Sequence, residues 1–97
     1  MKVINIVRYV DDAAKIVALR PLHRAFMKNL AVQGRVAAAG PFMDGSGALF
    51  IYEVESLTEA EGIVADDPYT VGGALRSYEL KPWHIVDSNP AMLAQPA

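Results

Sequence analysis

Residues Val3 to Tyr9 read as a β-strand that is apolar on both faces, with Val3 and Val7 on one side and Ile4 and Ile6 on the other. A strand of that kind has to be covered on both sides. One layer of helices covers one side only. The chain has 97 residues, 53% of them hydrophobic, which suffices for one domain and leaves no material for a second internal layer. The second face is therefore expected to be covered by another copy of the chain.

The elements that follow fit this demand. Asp11 and Asp12 are good caps for a helical start at Ala13. Pro21 then interrupts, because proline suits a first helical turn and pushes the residue before it toward extended geometry. The expectation is a short turn or helix over residues 12–19 and a main helix from Pro21 to Gln33. Leu22, Phe26 and Leu30, with Ala25, would form its core stripe, and Gly34 would stop it. Residues 35–39 and 48–54 read as two strands of a hairpin, joined through Gly40-Pro41 and the turn Asp44-Gly45-Ser46-Gly47. Ser56-Leu57-Thr58-Glu59 is a capping box that places a second helix over residues 57–65. Pro68 ends it, and residues 70–74 form a connection or a short helical turn before a last strand from Leu75 to Trp83.

This order is β-α-β-β-α-β, the ferredoxin-like α+β plan: a four-stranded antiparallel sheet with two helices on one face. The domain would span residues 1–86, with a C-terminal arm over residues 87–97. The open sheet face is the expected homodimer surface.

Composition removes several functions. The net charge is -2 and no basic cluster stands out, which argues against nucleic acid as the ligand. There are no cysteines, hence no disulfide, thiolate nucleophile or cysteine metal site. The two histidines do not have metal-ligand spacing, and no cofactor fingerprint is present; neither metal nor cofactor is expected. Met1 to Asn5 runs straight into the first strand without a secretory leader, and no run is long enough to span a membrane. A cytoplasmic protein acting on a small molecule, without nucleic-acid or membrane partners, is the expectation.

Two polar punctuations carry the chemistry. His23 would sit in the first turn of the main helix, where the helix N-terminus and Arg20 both disfavour imidazolium, leaving a neutral ring able to take a proton. Asp66 and Asp67 lie at the end of the second helix, where carboxylates oppose the helix dipole. A carboxylate is the usual partner that orients and charge-stabilises a histidine. Arg8 and Arg20 are candidates to hold an anionic group, and Tyr69 to shape a pocket. Each has a plainer role open to it: a histidine with no task, a helix-terminal turn, an arginine snorkelling from a strand end, an aromatic in the core.

The chain resembles the YciI-like, or YCII-related, family. The resemblance rests on Arg20-x-x-His23, Gly34, Gly40-Pro41, Gly47, Ser56-x-x-Glu59-Ala60, Asp67-Pro68-Tyr69, Gly72 and Pro82-Trp83, in that order. It implies the ferredoxin-like fold of the dimeric α/β-barrel superfamily. It also implies that His23 and Asp67 are an active-site pair near the dimer interface. Most members of that family are of unknown activity; one class resembles dehydrochlorinases of hydroxylated aromatics, and remoter relatives include muconolactone isomerases and cofactor-free monooxygenases. The expected function is cofactor-free proton transfer, an elimination or isomerisation of a cyclic or hydroxylated aromatic metabolite. The alternative is a non-catalytic dimeric module that binds a small ligand or serves as an accessory. The segment after Trp83 lies beyond the family pattern.

Overall fold

The structure, a computed structural model, describes residues 1–93; the last four residues of the expected arm, 94–97, lie outside the described residues. The elements are β1 (Lys2–Tyr9), α1 (Ala13–Val32), β2 (Val36–Pro41), β3 (Gly47–Glu53), α2 (Leu57–Asp66), α3 (Pro68–Val71) and β4 (Leu75–Trp83). Pro90–Leu93 form a short 3-10 turn. The sheet has the order β2-β3-β1-β4, and every neighbouring pair is antiparallel. This is the ferredoxin-like arrangement.

β1 shows the expected division. Val3, Asn5 and Val7 are buried beneath the helices. Ile4 and Ile6 face the other way and pair with Ile51 and Leu49 of β3, and all four are half-buried on the open side. Alternation along a strand puts these two sets on opposite faces. The main core joins Val3, Val7, Phe50, Tyr52 and Val54 of the sheet to Leu30, Ala60, Ile63 and Val64. A smaller cluster of Ile16, Tyr69 and Ala74 lies at the far end of β1.

The first helix departs from expectation. α1 is continuous from Ala13 to Val32, with Pro21 inside it rather than at its start. Proline there removes one backbone hydrogen bond and crowds the carbonyl of Val17. Pro21 and Val17 both face solvent, so water can satisfy that carbonyl. The inward face is unbroken: Ile16, Leu19, His23, Phe26, Met27 and Leu30 follow helical spacing. The core stripe is thus shifted, since Leu22 is 62% exposed and Ala25 is also exposed. A histidine occupies the inward position between them.

The caps fall where the sequence puts them. Asp12 accepts from the Lys15 N–H at 3.1 Å, and Ser56 from the Glu59 N–H at 3.1 Å. Gly34, at φ 75°, ends α1 in a Schellman arrangement with Arg35 N–H on the Leu30 carbonyl and Gly34 N–H on that of Ala31. Gly47 is required for a different reason: a Cβ there would collide with the carbonyl of Val7 on the paired strand. Among the described residues no helix is long and apolar enough to cross a membrane, and no group of three or more potential ligands could hold a metal ion.

Candidate active site

Asp67 stands between two helices, as C-cap of α2 and N-cap of α3. A carboxylate closing α2 opposes its dipole, as the sequence indicates. The immediate restart of the chain as α3 gives it a favourable task, because its Oδ1 accepts the Tyr69 N–H at 2.9 Å. α3 packs on α1 and brings that carboxylate to the imidazole. His23 Nδ1 and Asp67 Oδ1 are 2.8 Å apart, in a buried contact. Asp66, next in sequence, faces solvent.

The imidazole is held on both sides. Tyr69 stacks on it with ring centroids 4.0 Å apart and planes 13° apart. Phe50 meets it edge-on at 5.7 Å. His23 therefore joins the main core, through Phe50, to the smaller cluster, through Tyr69. Because His23 lies midway along α1, the N-terminal field expected to favour its neutral form is absent. Its chemistry is set by Asp67 instead. A carboxylate only accepts, so the shared hydrogen belongs to Nδ1, and the neutral ring then carries its lone pair on Nε2. Nε2 makes no hydrogen bond with a described residue and is not sealed in packing, since the buried polar side-chain atoms without a partner are Asn5 Oδ1 and Thr70 Oγ1. The ring borders a cavity of about 830 Å³.

The cavity lies between α1, the end of β1 and the β2–β3 hairpin. Its inner wall is aromatic and aliphatic, with Tyr9, Ile16, Met27, Phe50 and Tyr69; Phe42 and Met43 stand at the hairpin tip. Arg20 lines it and is half-buried. Arg8 does not line it: alternation puts this residue with Ile4 and Ile6, exposed on the opposite face of the sheet. Burial, with Tyr69 close by, pushes the Tyr9 hydroxyl above its ordinary value, against the opposing pull of Arg20. Tyr9 is thus a protonated donor at neutral pH.

Three contributors escaped the sequence. Tyr9 could have been found by extending the buried side of β1, Val3–Asn5–Val7, by one more step. Phe50 could not, because its approach to His23 depends on how α1 crosses the sheet. Arg24 is the third: its place at the cavity follows only from the phase of α1.

Comparison with known proteins agrees with this architecture. The sequence model of the "YCII-related domain" matches residues 1–84. The chain belongs to the YCII-related family. "Protein YciI" of Escherichia coli is 31% identical over 86 residues, covering 78% of this chain and 88% of the relative. "Uncharacterized protein YjpA" of Bacillus subtilis is 32% identical over 63 residues, covering 65% of this chain and 73% of the relative. Among solved structures, the chain resembles 5-chloro-2-hydroxyhydroquinone dehydrochlorinase (TftG) of Burkholderia phenoliruptrix, in complex with 2,5-dihydroxybenzoquinone. The TM-score is 0.78 at 20% identity, covering 87% of this chain and 94% of that one. Rv0793 of Mycobacterium tuberculosis gives a TM-score of 0.58 at 16% identity, covering 90% and 100%. At these identities the two structures speak for the fold.

Proposed function

We propose that this YCII-related protein is an enzyme that moves a proton on a hydroxylated aromatic or related cyclic metabolite without a cofactor. The observation that carries the proposal is the buried bond between His23 and Asp67, with the free Nε2 at the cavity. In an elimination, Nε2 takes a proton from the substrate. The electrons of that bond form the new double bond, and the leaving group departs with its own pair. In an isomerisation, the proton returns from Nε2 to a different atom. Asp67 favours the imidazolium that exists between the two steps, and Tyr69 fixes the plane of the ring. The dehydrochlorinase activity named for the structural relative makes elimination the first reaction to examine.

The working form is taken to be a homodimer through the open sheet face. Ile4, Ile6, Leu49 and Ile51 form its apolar centre, edged by Lys2, Glu53, Glu79 and Lys81. Both signs of charge on one rim suit a self-complementary two-fold contact. Light scattering coupled to gel filtration should give twice the chain mass, and Ile6→Glu should give the monomer.

The activity is tested by chloride release from 5-chloro-2-hydroxyhydroquinone by the wild type and by His23→Gln. Loss of a positioned general base should lower kcat by about 10²–10⁴. Turnover that is indifferent to His23, or ligand binding with no turnover, would overturn the proposal; the latter result would favour a binding module.

A further inference from the structure

Two arginines line the cavity, and among the described residues neither has an ion-pair partner. Arg20 and Arg24 are one helical turn apart on α1, and both line the cavity on either side of His23 in the sequence. The ion pairs among the described residues involve neither. Nor does either donate a side-chain hydrogen bond to a described residue. Of the other three arginines, Arg35 pairs with Glu59 at 3.2 Å and Arg76 with Asp11 at 2.8 Å, while Arg8, on the opposite face of the sheet, has no ion pair among the described residues.

Two carboxylates stand at the same cavity, Asp11 and Asp12, and both are engaged elsewhere. Asp11 binds Arg76, and Asp12 caps α1 through the Lys15 N–H. Arg20 is moreover half-buried, where a guanidinium without an anion is unfavourable. Arg20 and Tyr9 line the same cavity, and the arginine's charge opposes the upward push of burial on the Tyr9 hydroxyl.

We infer that Arg20 and Arg24 form an anion subsite of the His23 cavity, and that the ligand is an aromatic ring bearing a carboxylate. A guanidinium fork matches the two oxygens of a planar carboxylate. The ring itself would lie against the wall of Tyr9, Phe50 and Tyr69. The carboxylate end is then fixed near one turn of α1, and the ring substituents are presented to Nε2. This subsite deepens the proton-transfer proposal by naming its substrate class, and it rests on that proposal only for what Nε2 does.

Calorimetric titration separates the two, because binding needs no turnover. The probes are 2,5-dihydroxybenzoate, hydroquinone and inorganic phosphate, against the wild type, Arg20→Gln, Arg24→Gln and the double variant. Arg35→Gln, whose ion pair is with Glu59, serves as the control. The wild type should bind the dihydroxybenzoate at least about tenfold tighter than hydroquinone, as a charge-assisted hydrogen bond implies. That preference should shrink in each single variant, vanish in the double variant, survive in the control and weaken with added salt. Arg24 is exposed and Arg20 half-buried, and circular dichroism checks that each variant is folded. Equal binding of the two aromatics, a preference that persists in the double variant, or phosphate displacing the dihydroxybenzoate at equal concentration would each overturn the inference. A carboxylate preference without any turnover would leave the subsite standing and refute the proton-transfer proposal alone.

Discussion

Replacing Asp67 by asparagine isolates the charge of the pair from its geometry. In the native site one oxygen, Oδ1, receives both His23 Nδ1 at 2.8 Å and the Tyr69 N–H at 2.9 Å. An asparagine Oδ1 in the same place accepts both, so the tautomer of His23 and the cap of α3 survive. What disappears is the negative charge beside the imidazolium formed during turnover. With charge centres about 4 Å apart and an effective dielectric of about 20, that attraction is about 4 kcal/mol. This corresponds to an upper limit near a thousandfold in kcat. Asp67→Asn should therefore lose about 10²–10³ in kcat on a substrate the wild type converts, with thermal stability little changed. Asp67→Ala supplies the contrast. It leaves two buried N–H donors without an acceptor, at about 1–3 kcal/mol each. For a domain of this size each kcal/mol lowers Tm by about 4–8 °C, so the alanine variant should melt more than about 10 °C below the asparagine variant. Steady-state kinetics and scanning calorimetry read the two effects separately. A kcat for Asp67→Asn within about threefold of wild type would refute a role for the charge, and equal melting of the two variants would refute the shared acceptor.

Further outcomes concern the scaffold. Pro21→Ala should stabilise the protein by about 1–3 kcal/mol in urea unfolding, because it restores a helical N–H and removes the crowding at Val17. Gly47→Ala should lower the unfolding midpoint, because its methyl group meets the Val7 carbonyl and the β1–β3 pairing must yield; an unchanged midpoint would contradict that close approach. The Glu59 carboxyl is held below its ordinary value of 4.5, first by the Glu55 N–H and then by Arg35. The folded state thus holds this proton less tightly than the unfolded one. The contribution is present above pH 4.5 and is lost as pH falls from there through the folded value. Acid unfolding curves of Glu59→Gln should lack that part of the pH dependence.

The architecture was legible because its signals are local. Alternation in β1, the capping box at Ser56, Gly34 and the turn at Asp44–Gly47 each act within a few residues, and their order specifies the topology. Pro21 misled for a physical reason. Its penalty is real, but the inward face from Ile16 to Leu30 outweighs a solvent-facing break, so one helix forms where two were expected. The same shift turned Leu22 outward and His23 inward. In the candidate site, His23, Asp67, Arg20 and Tyr69 could be named from the sequence, while Arg8 lies with Ile4 and Ile6 on the face of the sheet away from the cavity. Their distances could not be read, because α3 carries Asp67 to α1 through packing remote in sequence. Arg24 and Phe50 enter the cavity only once the phase of α1 is known.

The central claim is that Nε2 of His23, oriented by Asp67, meets the reacting part of a ring held in this cavity. A crystal structure with 2,5-dihydroxybenzoquinone bound tests it most directly. The account expects the ring in the cavity, with an oxygen or reacting carbon within about 3.5 Å of Nε2 and the His23–Asp67 bond intact. A ligand bound elsewhere, or an imidazole turned away from Asp67 to meet it, would contradict the account.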